Sequence, residues 1–278
     1  MEWAQKRKII SVLAFAGIVV LLAAYPVYIL VKKEPTCFDK KQNGTEGGVD
    51  CGGGCALVCA SEVKAPRVVW AKAFSLGGNN YDLGAYVENA NTNAGLKNMR
   101  YTIRVFDSYG QVLAEKKGGA ELAPSATVLL FETGVAFSGN PSRVEVAVDA
   151  EDITKWTKAS VASSVVLIKN QSLVNTDTKP RFDAVLVNTD PIEDVENLTL
   201  GAIIYDTASN PVAVSRTYIN LIQKSGEQNV FFTWPSRFTK YSQGEMCGTP
   251  TDATTQSSCP SEKFITEIVI TPRAIFAE

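Results

Sequence analysis

Two hydrophobic patterns divide the chain. From Ile9 to Val31 the run IISVLAFAGIVVLLAAYPVYILV carries no charge, and Lys6-Arg7-Lys8 and Lys32-Lys33 frame it. At about 1.5 Å per residue, a helix of this length crosses a hydrocarbon core of about 30 Å. Beyond residue 66 the period shortens to two. Tyr101, Ile103 and Val105 alternate with Thr102, Arg104 and Phe106, and Val144, Val146 and Val148 with Glu145, Ala147 and Asp149. Val128-Leu129-Leu130-Phe131 and Val230-Phe231-Phe232 are short apolar runs of buried-strand length. Turn residues punctuate these segments at Asn79-Asn80, Asn91 to Gly95, Ser108 to Gly110, Gly118-Gly119, Ser209 to Pro211 and Ser225-Gly226. The pattern predicts one membrane-crossing helix followed by many short strands, a mainly β protein built as sandwiches.

The strand region repeats at an offset near 100 residues. Residues 86–115 (YVENANTNAGLKNMRYTIRVFDSYGQVLAE) align with 186–215 (LVNTDPIEDVENLTLGAIIYDTASNPVAVS). Val87 falls on Val187, Asn98 on Asn197, Met99 on Leu198, Val105 on Ile204, Phe106 on Tyr205, Asp107 on Asp206 and Val112 on Val212. AKAFSL at 71–76 matches IKNQSL at 168–173, and VEVAVD at 144–149 matches ITEIVI at 265–270. Agreement across separate segments indicates a duplicated domain. The expected organisation is a cytoplasmic N-terminus at 1–8, the membrane helix at 9–31, a Cys-rich neck at 34–66, a first sandwich at 67–149, a linker at 150–163 and a second sandwich at 164–278. An insertion at 236–263 interrupts the second sandwich. Trp156 in the linker either packs between the sandwiches or fills the end of one core. Asp107 and Asp206 are expected to cap the turn after their strand.

The strand-turn signature, hydrophobic-x-hydrophobic-aromatic-Asp, stands as IRVFD at 103–107 and AIIYD at 202–206. It resembles the FxLYD family of immunoglobulin-like domains of exported and membrane-tethered microbial proteins, with the leading Phe replaced in both copies. The resemblance implies two tandem immunoglobulin-like sandwiches and no catalytic residues. The neck, with its C…D…NG.E..VDCGG.C…C pattern, is similar to a short cysteine motif of exported microbial surface proteins, which implies a location.

Six cysteines change the picture further. Cys37, Cys51, Cys55 and Cys59 lie in a segment with glycines at 47, 48, 52, 53 and 54 and few apolar residues, too little to form a core. Such a segment needs covalent or metal staples. The C-x13-C-x3-C-x3-C spacing lacks the paired knuckles of a zinc or iron–sulfur site. Disulfides are the expectation, and four cysteines leave three pairings open. Cys247 and Cys259 form a further pair in a polar loop, where a bridge would add about 3 kcal/mol on the chain-entropy model. Asp39, Asn43, Glu46 and Asp50 offer oxygens at a spacing that calcium could use, but Lys40 and Lys41 sit among them, and turn formation is the simpler account.

Charge and composition act mainly by exclusion. The 27 basic and 29 acidic residues leave a net charge of −2, so nothing draws the chain to nucleic acid. Histidine is absent, which removes Ser-His-Asp and Cys-His nucleophile systems, imidazole bases and histidine zinc sites. No cofactor is expected. Basic residues flank both ends of the apolar run, so orientation follows from the cysteines: an N-terminus inside and residues 34–278 outside. The run extends well past Ala14-Phe15-Ala16, the best small-x-small site, so an uncleaved anchor is expected. Asn43, Asn170 and Asn197 begin N-x-S/T patterns.

The leading expectation is a non-enzymatic, membrane-anchored envelope protein that presents two sandwiches for binding or adhesion to a protein or surface partner. Arg237, Phe238, Lys240 and Tyr241, at the root of the insertion, are the candidate contact residues. An alternative is an accessory subunit of a secretion or surface-appendage assembly, with Ala14, Ala16, Gly17, Ala23 and Ala24 packing against other membrane helices. A third is a hydrolase using carboxylates of the acidic run Asp190, Glu193, Asp194 and Glu196, which as a charge run is more often a solvated turn.

Overall fold

The architecture comes from a computed structural model that describes residues 2–31, 36–149, 155–161, 165–238, 264–272 and 274–277. Two compact units emerge, Met1–Cys55 and Ala56–Glu278. In the first, a helix, α1 (Glu2–Val31), starts seven residues before the uncharged run and contains Pro26. Its stretch Gln5–Pro26 is long and apolar enough to cross a membrane and has no part buried against protein. Residues 36–55 form turns around a Cys37–Cys55 disulfide with Cα atoms 5.6 Å apart.

The second unit is two sandwiches with the same wiring. The first has β1 (Arg67–Gly77), β2 (Asn80–Glu88), β3 (Ala94–Phe106), β4 (Val112–Leu122), β5 (Thr127–Ala136) and β6 (Arg143–Val148). Its sheets run β1-β2-β5 and β4-β3-β6, all antiparallel. After β7 (Thr157–Val161), the second sandwich has β8 (Val166–Val174), β9 (Arg181–Asn188), β10 (Val195–Tyr205), β11 (Pro211–Ile222), β12 (Glu227–Thr233) and β13 (Ile265–Ile270). Its sheets run β8-β9-β12 and β11-β10-β13, the same order strand for strand. A last strand, β14 (Ala274–Phe276), ends the chain.

Register corrects the sequence alignment. Phe106 pairs Val112 while Tyr205 pairs Pro211, so Val112 corresponds to Pro211 and not to Val212. Buried Asn89 and Asn188 hold the same corner in each copy, which sets Val87 against Leu186 and not Val187. Asn89 Nδ2 donates to the carbonyls of Ala94 and Ala123, both at 2.8 Å, and Asn188 Nδ2 to those of Glu193, Ile222 and Gln223. Each Oδ1 accepts the amide two residues on, from Asn91 and Asp190, at 2.9 Å. Removing either side chain strands several buried carbonyls. Asn89→Ala and Asn188→Ala should each cost about 2 kcal/mol, read from the urea midpoint at constant m. The capping expectation holds: Asp107 Oδ1 accepts the amides of Tyr109 and Gln111 at 2.8 Å, and Asp206 Oδ1 those of Ala208 and Asn210 at 2.9 and 2.8 Å.

The segment read as a linker is in part a strand. β7 pairs with the start of β3 through Ala94↔Lys158 and Gly95↔Thr157, and β14 pairs with β7. The chain's last strand thus returns from the second sandwich to the sheet of the first. Trp156, just before β7, is 1% exposed and belongs to the first core beside Val58, Leu96 and Leu122. Of its two expected placements, the core-filling one is observed.

Candidate functional site

The outer face of β1-β2-β5 packs on the outer face of β11-β10-β13. Phe74, Leu129 and Phe131 meet Ile203, Val214 and Val269, with Trp70, Tyr86 and Tyr205 alongside. This stacking explains the unbroken apolar run in β5. Val128 and Leu130 point into the first core while Leu129 and Phe131 point into the seam between sandwiches. Close approach needs small residues at the crossing. A Cβ on Gly201 would lie 2.7 Å from Leu129 Cδ2, and one on Gly84 would lie 3.1 Å from Val214 Cγ2.

The copies have diverged at these faces. By register, Ile203, Val214 and Val269 of the seam correspond to Arg104, Glu115 and Ala147 on the free face of the first sandwich. There Arg104 Nε bonds Glu115 at 2.7 Å, and Arg143 pairs with Glu145. Likewise Gly84, Tyr86 and Leu129 correspond to Asp183, Val185 and Asn229 on the free face of the second. The run Val230-Phe231-Phe232 is therefore only half buried: Val230 and Phe232 enter the core, while Phe231 is exposed beneath the Arg181 guanidinium, 4.8 Å above its ring. The free faces carry charged and amide side chains where the seam is apolar, which disfavours stacking of a further copy on them.

Polar contacts fix the seam. Glu267 accepts from the Tyr86 hydroxyl at 2.8 Å and from the Tyr205 hydroxyl at 2.7 Å, one tyrosine from each sandwich. Lys72 Nζ donates to the carbonyl of Pro211 at 2.8 Å. Burial lowers the Lys72 pKa, against the pull of nearby Asp206. Burial, reinforced by the hydrogen bond to Glu267, pushes Tyr86 up to about 12 and raises Tyr205 as well. A tyrosine whose pKa is raised on folding contributes stability fully present below pH about 10 and lost as pH rises through the folded value. Tyrosinate absorbance should thus resolve Tyr86 ionising near pH 12, and Tyr86→Phe should remove that step.

Beside the seam lies a cleft of about 990 Å³. Leu129, Val166, Leu198 and Ile275 supply apolar wall, and Arg216 and Tyr101 line it too. The acidic run gathers on its rim: Asp190, Glu193, Asp194 and Glu196 all line it. The run is largely a turn, as its pattern allows. Asp190 Oδ1 accepts the amides of Ile192 and Glu193 at 2.8 and 3.0 Å, which hold its carboxyl below the usual range, and Asp194 Oδ1 accepts that of Lys224 at 2.7 Å. A general acid needs the opposite shift. The carboxyl that burial does raise, Asp82, lies in the first sandwich and accepts from the Gly134 amide.

The other candidate residues fall elsewhere. Phe238 packs edge-on between Trp234 and Phe264, with ring centroids 5.2 Å from each, at the end of the second core, while Arg237 is exposed. Lys240, Tyr241, Cys247 and Cys259 lie outside the described residues. Cys37 and Cys55 form the neck disulfide already described, and Cys51 and Cys59 are each disulfide-bonded too. In the neck the Asp39, Glu46 and Asp50 carboxylates accept the amides of Lys41, Asn43 and Lys40, the turn-forming use of these residues. Among the glycosylation patterns, Asn170 and Asn197 are exposed, and Asn197 accepts from the Tyr218 hydroxyl. Fold and site define a class: a double β-sandwich, stacked face to face, on a chain that begins with an apolar helix and a disulfide-stapled neck. Compared with known protein families and with curated proteins, the chain matches none.

Proposed function

We propose that this chain is a membrane-anchored binding or adhesion protein, non-enzymatic, with its N-terminus in the cytoplasm and residues 34–278 outside. The observation that carries this reading is the pairing of an apolar helix of membrane-crossing length with neck cysteines held in disulfides. Structural disulfides persist in oxidising compartments, which lie across the membrane from the cytosol. A seam fixed by apolar packing and by Glu267 keeps the two sandwiches in one orientation, which suits presentation of a binding surface. The immunoglobulin-like, FxLYD character of the sandwiches belongs to the same proposal.

A second reading, an accessory subunit of a secretion or surface-appendage assembly, is favoured by α1. Among the described residues nothing lies within 4 Å of a Cβ placed on Gly17, so another membrane helix could approach it closely. Leucine at Gly17 would then reduce co-purification of partner helices.

Thiol labelling of the full chain in intact cells tests the location. A membrane-impermeant maleimide should label the neck only after an impermeant reductant has opened the disulfides. Labelling that instead requires permeabilised cells would place the neck inside and overturn the proposal.

A further inference from the structure

We propose that the opening beside the start of β10 is a docking slot for an extended basic segment of a partner protein, carrying one aromatic side chain and added as a strand antiparallel to β10. The inference deepens the binding reading above and rests on it. Its template lies in the chain itself. In the first sandwich one edge of β3 is covered twice. β6 pairs with Tyr101–Phe106, and β7 covers the start of the strand through Ala94↔Lys158 and Gly95↔Thr157. Ala159 extends the contact by donating its amide to the Asn93 carbonyl at 3.0 Å. Trp156, leading β7, is buried in the core.

The matching edge of β10 is covered once. β13 pairs with Leu200–Tyr205, and the amide of Thr271 reaches the carbonyl of Thr199 at 3.3 Å. From Val195 to Leu198 no strand among the described residues lies on this side, because the chain leaves β13 to become β14 on the first sandwich. The 990 Å³ cleft opens here, walled by β10 residues 195–199 and by Ile270, Thr271 and Pro272. An extended peptide can add main-chain hydrogen bonds to such an edge and place alternate side chains in the cleft.

Charge distinguishes the two slots. Ala94 and Gly95, which face β7, correspond to Glu193 and Asp194, with Asp190 and Glu196 on the same rim. Asp190 and Asp194 are occupied by backbone amides, but the carboxylates of Glu193 and Glu196 are exposed and accept no hydrogen bond among the described residues. An acidic rim over an apolar wall selects a cationic strand with an apolar anchor. The occupant of the first slot already has that character, with Trp156 between Lys155 and Lys158.

The test uses the full chain in detergent micelles and a fluorescein-labelled peptide, KWTKASV, copied from residues 155–161. Anisotropy should give saturable binding below about 1 mM that weakens as salt rises. A peptide with both lysines replaced by glutamate, and the protein variant Glu193→Lys/Glu196→Lys, should each bind at least tenfold more weakly. Both substitutions are at exposed positions, so the variant's far-ultraviolet spectrum and melting curve should match the parent's. Hydrogen exchange should slow on binding at residues 195–198. Absence of saturable binding, full binding by the charge-reversed protein, or protection confined elsewhere would overturn the slot. So would a dimer in sedimentation that protects 195–198 and resists the peptide, since a second copy would then be the occupant. Micelle binding is independent of topology, so a slot that fails here and a location that fails by thiol labelling are separate results.

Discussion

Ile203→Asp is expected to uncouple the two sandwiches without dissolving either core. Ile203 is fully buried, and it lies in the seam and not in the second core, whose β10 members are Leu198, Leu200, Ala202 and Ile204. The substitution loses about 2 kcal/mol of apolar burial and places a carboxylate among Phe74, Leu129 and Phe131. The seam should weaken by about 4 kcal/mol or more, because relief requires the faces to part and admit water. Scanning calorimetry should then show two transitions where the parent shows one. A single transition at the parent's midpoint would mean that the faces contribute little. The reverse replacement, Arg104→Ile at the corresponding position of the free face, should leave stability nearly unchanged and promote self-association, because it exposes an apolar residue where an ion pair now stands.

Trp156→Ala should cost about 3–5 kcal/mol, the range for deleting a large aromatic from a packed core. The effect is large for a residue that precedes β7 by one position and lies between segments of obvious repeat. Its ring fills the end of the first core, and its carbonyl accepts the amide of Val58 at 2.8 Å. Trp156→Phe should cost much less. Among the described residues the buried indole Nε1 has no hydrogen-bond partner, so removing it relieves an unmet donor and offsets part of the lost packing. Urea unfolding followed by far-ultraviolet dichroism distinguishes the two: a large midpoint shift for Ala and a small one for Phe. Equal losses would show that volume alone sets the cost.

Much of this fold is written in local patterns. The uncharged run from Ile9 to Val31 is a helix because nothing within it breaks the apolar sequence except Pro26, which the helix accommodates. Alternation in β3 and β6 follows from one face meeting the core and the other meeting solvent. Asp107 and Asp206 cap their turns through bonds spanning two to four residues, so their neighbours suffice to specify them. Duplication was visible as well, although its offset slipped by a residue at Val87, at Val112 and along 144–149, and by three along 71–76, where strand pairing and the buried pair Asn89 and Asn188 give the true register.

What adjacent residues do not encode is which outer face meets which. An apolar Leu129 or Ile203 reads the same whether it is buried in a core or in a seam. The difference lies in Gly84 and Gly201, whose missing side chains matter only once two sheets from distant segments approach. β14 pairs with β7 across more than a hundred residues of chain, and three residues carry no periodicity to announce it. The acidic run became one wall of a cleft for the same reason. Composition and short-range hydrogen bonding suffice for the membrane-length helix, the cysteine-stapled neck and the twice-used β module. The stacking, the strand that returns and the edge of β10 left uncovered among the described residues emerge on folding, because they arise from shape and contact between surfaces far apart in the chain.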